Sequence, residues 1–259
     1  MYSLKHNKMI YKYPENFARF YDLIYHNNRD GVDNTFFQDR IKEIRGKVLE
    51  IGVGTGRLFF NALTHGADIY GIDISPNMLK VLQNKLTKDQ QFRISLQNII
   101  DFKSDFKFDL IIAPFRVFMH LIQKDDQIRA LNNVWEHLDK NGTFIFDTFV
   151  PDLNQLLNGL KNHVDFEGEY EPGKRIKRIV STSPDLINQL INIRFRLEWD
   201  EDNTSKHDEW NVPLRFFFRY ELEHLIERSE FKKYKILGDY QGNELRQNSR
   251  EFIAICQKS

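Results

Sequence analysis

A glycine-rich run, Glu50-Ile51-Gly52-Val53-Gly54-Thr55-Gly56, separates a short strand-like stretch at 47–51 from a helix-like stretch carrying Leu58, Phe59 and Leu63. Glycines at such a junction let the chain turn sharply and bring its backbone close to a ligand. Asp73 follows 21 residues after Gly52 (73 minus 52), at the end of the next strand-like run. A carboxylate there accepts hydrogen bonds from both hydroxyls of a ribose. Two ribose-bearing cofactors fit this outline. Dinucleotide binding asks for Gly-x-Gly-x-x-Gly, and Arg57 in the sixth position breaks that fingerprint. Glu50 adds a carboxylate that would disfavour a pyrophosphate. It suits S-adenosylmethionine, which carries an ammonium and a sulfonium and no phosphate.

The elements around this loop follow from hydrophobic spacing. Phe17, Phe20, Tyr21, Ile24 and Tyr25 recur at three and four within 10–45, which predicts a helical segment with one aromatic face. Strand signals at 47–51, 69–72, 92–96, 108–113 and 143–149 alternate with helix signals, of which Ser75-Pro76 is a start signal and Gly66 a stop. That alternation predicts a parallel α/β sheet. The pattern changes at 164–218. Ile193, Phe195, Leu197 and Trp199 alternate with Arg194, Arg196 and Glu198. After a turn at 201–204, Trp210, Val212, Leu214, Phe216 and Phe218 alternate on the return. An antiparallel hairpin or small sheet is expected there. A helix at 220–229 and strands near 233–240 and 250–256 close the chain.

The chain has 259 residues, 41% of them hydrophobic and 22 of them Phe, which is enough for a sizeable core. Lys plus Arg and Asp plus Glu balance at 37 each, so the basic excess of a nucleic-acid binder is absent and no nucleic-acid partner is expected. The single cysteine, Cys256, rules out an internal disulfide and fits a reducing compartment. With no apolar stretch of membrane length and no signal-peptide core, the reading is a cytoplasmic protein with no membrane contact. The histidines show no metal-ligand spacing, so no metal is expected.

Taken together, these segments resemble the class I S-adenosylmethionine-dependent methyltransferases. Val48 to Arg57 is similar to their motif I, and Gly71-Ile72-Asp73-Ile74-Ser75-Pro76-Asn77-Met78 to motif II. Phe108 to Phe115, running on to Met119-His120-Leu121, is similar to the region after strand 4, and Leu138 to Phe144 to the turn before strand 5. The resemblance covers about 10–150 and 215–259 and is nearest the small-molecule branch with sugar and glycine N-methyltransferases. It implies a Rossmann-like α/β fold: a seven-stranded, mostly parallel sheet flanked by helices, its last strand antiparallel. Residues 1–37 would form an N-terminal helical cap, 38–163 and 215–259 the cofactor-binding core, and 164–214 a β insertion that caps the substrate. It also implies that Glu50, Gly52, Gly54 and Gly56 serve the methionine end of the cofactor, that Asp73 holds the ribose, and that Ile74 packs on adenine. Asn98 and Ile99 stand where an acidic adenine contact is usual, with Asp101 an alternative, and Ala113 closes the same side.

Methyl transfer is an in-line displacement at an activated carbon, served by positioning and electrostatics. A base is needed only when the acceptor must lose a proton. His120, after strand 4, stands where such a base or an orienting group would be, with packing as the alternative. Tyr21, with Tyr25, could close over the cofactor. Arg116 could hold an anionic acceptor, as could the basic run Lys174, Arg175, Lys177 and Arg178 or the insertion's Arg194 and Arg196. The insertion's apolar face, with Phe195, Trp199, Trp210 and Phe216, should pack on the core or on a second subunit of a homodimer. The expected function is methyl transfer to N or O of a small polar metabolite. A tRNA or protein methyltransferase, or a regulatory module that binds the cofactor without catalysis, stands as the alternative.

Overall fold

The structure, a computed structural model, describes residues 13–28, 31–202 and 204–258. The first part of the helix expected from residue 10 lies outside them. The remainder of that helical segment is three helices: α1 (Glu15–Arg19), α2 (Tyr21–Asn28) and α3 (Val32–Lys42). Phe20 caps α1 with a non-helical ψ of 3°, and Gly31 stands at φ 77° before α3. Such a left-handed residue breaks a helix and favours glycine.

The main sheet has seven strands in the order β10-β11-β5-β4-β1-β2-β3. They are β1 (Lys47–Ile51), β2 (Asp68–Asp73), β3 (Ile94–Leu96), β4 (Phe108–Ala113), β5 (Leu138–Phe149), β10 (Lys233–Leu237) and β11 (Glu251–Gln257). The pairs β1–β2, β1–β4, β2–β3 and β4–β5 are parallel, whereas β11 runs antiparallel to both β5 and β10. This is the Rossmann-like, mostly parallel sheet with an antiparallel last strand that the sequence leads one to expect. β5 begins at Leu138, five residues before the start expected from its apolar run. Leu138 pairs with Phe108 before the register shifts between Phe108 and Leu110.

Helices cover both faces of the sheet because the strands are apolar on both sides. On one face α6 (Lys124–His137) and α8 (Arg219–Arg228) bury Ala130, Leu131, Val134, Leu222 and Ile226 with Phe144 and Phe146. On the other, α3, α4 (Phe59–Thr64) and α5 (Pro76–Gln83) bury Phe36, Phe37, Phe59, Ala62, Leu79 and Leu82 with Ile112 and Ile145. The start of α5 is as the sequence requires: Ser75 Oγ accepts from the Met78 N–H at 3.3 Å, and Pro76 takes the first turn. Cys256 is buried in β11, and burial pushes its thiol well above the usual range.

After the short α7 (Leu153–Asn158), a four-stranded antiparallel sheet is inserted: β6 (Leu160–Glu171), β7 (Lys174–Asp185), β8 (Leu190–Glu201) and β9 (Thr204–Arg215), paired in that order. Its inner face carries Phe166, Ile176, Leu197, Trp199, Trp210 and Val212. These pack against Phe17, Phe20 and Ile24 of the N-terminal helices rather than against the main sheet. Phe216 leaves this face and joins the main core, because the chain turns after Arg215 and the Phe216 N–H bonds the Gln189 carbonyl. Side-chain bonds from Asn16 to Asp208 and from Arg19 to Glu201 rim the contact between helices and sheet.

Candidate functional site

The glycine loop leaves the carboxyl end of β1, where open α/β sheets bind their ligands. Gly52, Gly54 and Gly56 stand at φ 69°, 55° and 86°. Space adds to the demand: a Cβ on Gly52 would lie 2.3 Å from Val117, and one on Gly56 2.4 Å from Leu82. The Gly52 and Val53 N–H groups both donate to the Ile72 carbonyl, which folds the loop back over β2.

Two carboxylates meet there. Asp73 accepts the Gly54 N–H on one oxygen and the Ser75 N–H on the other, each at 2.8 Å. Burial raises its pKa against these bonds. Each oxygen retains a lone pair for a further donor. Glu50, in β1, is 3% exposed, and its Oε2 has no hydrogen-bond partner among the described residues. Burial pushes its carboxyl up to about 8, with Arg57 pulling the other way. A buried acceptor without a partner is costly, and an ammonium at this point would satisfy it. Ile74, half-buried, follows Asp73 at the end of β2, while Asn98 and Ile99 follow β3. Asn98 Oδ1 is already engaged with the Ile100 N–H at 3.1 Å, and the exposed Asp101 lies a turn further on. Ala113, fully buried, ends β4 beside the loop, since Glu50 pairs with Ile112.

The N-terminal helices sit on this loop. Asp22 accepts from Thr55 Oγ1 at 2.6 Å and from Lys85 Nζ at 2.6 Å, and Lys85 also donates to the Thr55 carbonyl. Asp33 of α3 holds Arg57 by two bonds. Tyr21 lies between Tyr13 and Tyr25, with ring centroids at 5.8 and 4.4 Å, and Tyr25 meets Phe115 edge-on at 5.1 Å. Phe115 and Arg116, just after β4, both adopt positive φ, 61° and 69°. Two such non-glycine residues in succession are uncommon and need support from their surroundings.

That support corrects one expectation. Arg116 does not face a ligand; it is 15% exposed, pairs with fully buried Asp147 and bonds Glu251 at 2.7 Å. The basic run of β7 is likewise engaged: Lys174 with Glu171, Arg175 with Glu167, Lys177 with Glu198 and Arg178 with Asp165. Arg194 and Arg196 pair with Glu209 and Glu198 on the outer face of the inserted sheet, turned away from the N-terminal helices. Alternation explains this, because the apolar residues of the same strands face those helices. His120 ends a short 3₁₀ turn, Val117–His120, after β4, and makes no side-chain hydrogen bond to another described residue. Burial lowers its pKa to about 4, so the ring is neutral at neutral pH. Among the described residues no group of three or more His, Cys, Asp or Glu side chains could hold a metal ion, and no helix is long and apolar enough to cross a membrane.

Asp22 and Asp33 escaped the sequence reading as partners of the loop, and Arg178 was grouped with an outward basic run rather than placed on the inner face. For Arg178 a signal existed: it shares strand parity with Ile176 and Val180, which places it on the inner face.

Residues 49–144 match a family profile described as a methyltransferase domain. An uncharacterized methyltransferase of Bacillus cereus is 31% identical over 142 residues, covering 54% of this chain and 59% of that protein, so the match spans less than two thirds of that relative. Among solved structures, an S-adenosylmethionine-dependent methyltransferase from Clostridium acetobutylicum superimposes with a TM-score of 0.73 at 19% identity, over 93% of this chain and 97% of that one. The sugar N-methyltransferase KedS8 from Streptoalloteichus gives 0.71 at 16% identity, over 91% and 92%. At these identities the likeness is one of fold. Residues 49–144 thus match a methyltransferase domain, and the chain shares its fold with those S-adenosylmethionine-dependent enzymes; the residues present fit such a cofactor, since the orphaned Glu50 oxygen could take its ammonium.

Proposed function

We propose that this methyltransferase-domain protein transfers a methyl group from S-adenosylmethionine to a nitrogen or oxygen of a small polar metabolite. The observation that carries the reading is the buried, unpartnered Glu50 oxygen beside Asp73 and three positive-φ glycines. Glu50 would take the ammonium and Asp73 the ribose hydroxyls, with Ile74, Asn98 and Ile99 along the adenine and Ala113 beside the loop. When bound, the cofactor supplies a methyl on a sulfonium, already activated for in-line displacement. The chain's own part is to orient the acceptor and exclude water. Tyr21 and Tyr25 would wall the transfer chamber, and the inserted sheet would hold the helix that bears them. His120, held neutral by burial, would accept a proton from the acceptor or fix its direction. The sugar N-methyltransferase neighbour favours an amino sugar among small acceptors.

The test is incubation of purified protein with methyl-labelled cofactor and a panel of amino sugars, glycine and small hydroxylated compounds, with tRNA and protein fractions alongside. Label on a small acceptor supports the reading. Label confined to tRNA or protein replaces it. Cofactor binding without transfer to anything makes the chain a binding module.

A further inference from the structure

Arg178 is a charge on an apolar face. It lies in β7 between Ile176 and Val180, pairs in register with Leu197 of β8, and is 5% exposed. A hydrophobic residue of similar volume would fill this place without the cost of desolvating a cation. Asp165 offsets part of that cost through two bonds, at 2.9 and 2.7 Å. The flat guanidinium also lies 4.7 Å over the Tyr25 ring, donates a hydrogen bond to that tyrosine's hydroxyl, and lies 5.1 Å over the ring of Phe195. A fork that bonds a carboxylate along one edge and stacks on a ring with its face is specific to arginine. Tyr25 meets Phe115 edge-on at 5.1 Å, and Phe115 lies under Arg57 of the cofactor loop at 5.6 Å. A continuous line of contacts thus runs from Asp165 in the inserted sheet to the glycine loop.

We propose that Arg178 is a positioning residue of the transfer chamber: it fixes the ring and hydroxyl of Tyr25 at the junction of the cofactor loop with the corner after β4, and so sets the wall against which the acceptor stands. The role rests on the methyltransferase reading above. It gives the inserted sheet a part in catalysis although the sheet's outward arginines face away from the loop.

Two ligands separate positioning from mere structural support. S-adenosylhomocysteine lacks the methyl. Sinefungin carries an amine in the methyl's place and so senses the groups facing it. Both are titrated by calorimetry into wild type, Tyr25→Phe, Arg178→Met and the double variant. Arg178→Met is expected to leave S-adenosylhomocysteine affinity within about twofold and to weaken sinefungin relative to it by about fivefold or more. That loss should shrink below about twofold in the Tyr25→Phe background, the sign of a residue acting through another. Arg178→Lys keeps the charge beside Asp165 and should not restore the ratio. If Arg178→Met loses the native circular dichroism, Arg178→Lys with Tyr25→Phe carries the same comparison. An unchanged ratio, equal weakening of both ligands, or a full effect without the Tyr25 hydroxyl overturns the role. A wild type that binds neither ligand overturns the methyltransferase reading, and this role with it.

Discussion

Arg57 and Asp33 form a two-pronged ion pair, at 2.6 and 3.3 Å, with the aspartate only 2% exposed. Arg57 is the residue that breaks the dinucleotide fingerprint, and this pair shows its use: it ties α3 to the cofactor loop. Asp33→Ala would leave the guanidinium under the helix without its partner. Breaking a buried pair costs about 3–5 kcal/mol, and because Arg57 keeps 26% of its side chain exposed, about 2–3 kcal/mol is expected here. Urea unfolding of the ligand-free protein measures it; a change below about 0.5 kcal/mol would mean the pair is a surface ornament.

Glu50 should make cofactor binding pH-dependent. With its carboxyl pushed up to about 8, the ligand-free site holds a proton at pH 7. A bound ammonium favours the ionised form, so binding releases that proton and affinity rises from pH 6 to 8. Calorimetry in buffers of different ionisation heat detects the release. Glu50→Gln should abolish it and weaken S-adenosylhomocysteine by about 10- to 100-fold, the worth of a hydrogen bond to a charged group. The same substitution should stabilise the ligand-free fold. Here the folded pKa lies above the unfolded one, so stability falls as pH rises from about 4.5 to 8, by a few kcal/mol. A thermal melt of Glu50→Gln at pH 8 that matches wild type would contradict this.

Asp73→Ala removes two candidate ribose bonds, each worth about 1 kcal/mol or more, and should weaken cofactor binding by at least about 30-fold. Asp73→Asn keeps one acceptor and should lose less. Unchanged affinity in the alanine variant would end the ribose assignment.

For His120 the sign runs the other way. Its pKa is lowered from the ordinary 6.5 to about 4 by burial, so the unfolded chain binds the proton first and stability is lost as pH falls from 6.5 towards 4. Between pH 7 and 9 the ring stays neutral, and no step in the transfer rate should trace to it. His120→Ala should lower turnover on the acceptor by roughly ten- to a thousand-fold with cofactor affinity unchanged. Full turnover in that variant would return His120 to a packing role.

What the sequence revealed follows a physical divide. The glycine loop, the Ser75 cap and the alternation around Ile193 and Trp199 are local signals, readable because backbone turns, caps and pleats act over a few residues. Phe17, Phe20 and Ile24 were legible as one aromatic face of a helical segment, but nothing local says that the face meets Trp199 and Trp210. The same holds for Arg116. Its charge reads as exposed until Asp147 and Glu251, 31 and 135 residues away, are brought beside it. Long-range pairing decides whether a charge is a ligand or a strut.

The docking of the N-terminal helices on the inserted sheet also orders events in time. Asn16 and Arg19 find their partners 192 and 182 residues later. On a ribosome making about 5–20 residues per second, the aromatic face of Phe17, Phe20 and Ile24 waits on the order of ten to forty seconds for its cover. During that interval the apolar stripe of Phe17, Phe20 and Ile24 stands ahead of a sheet that has not yet been made.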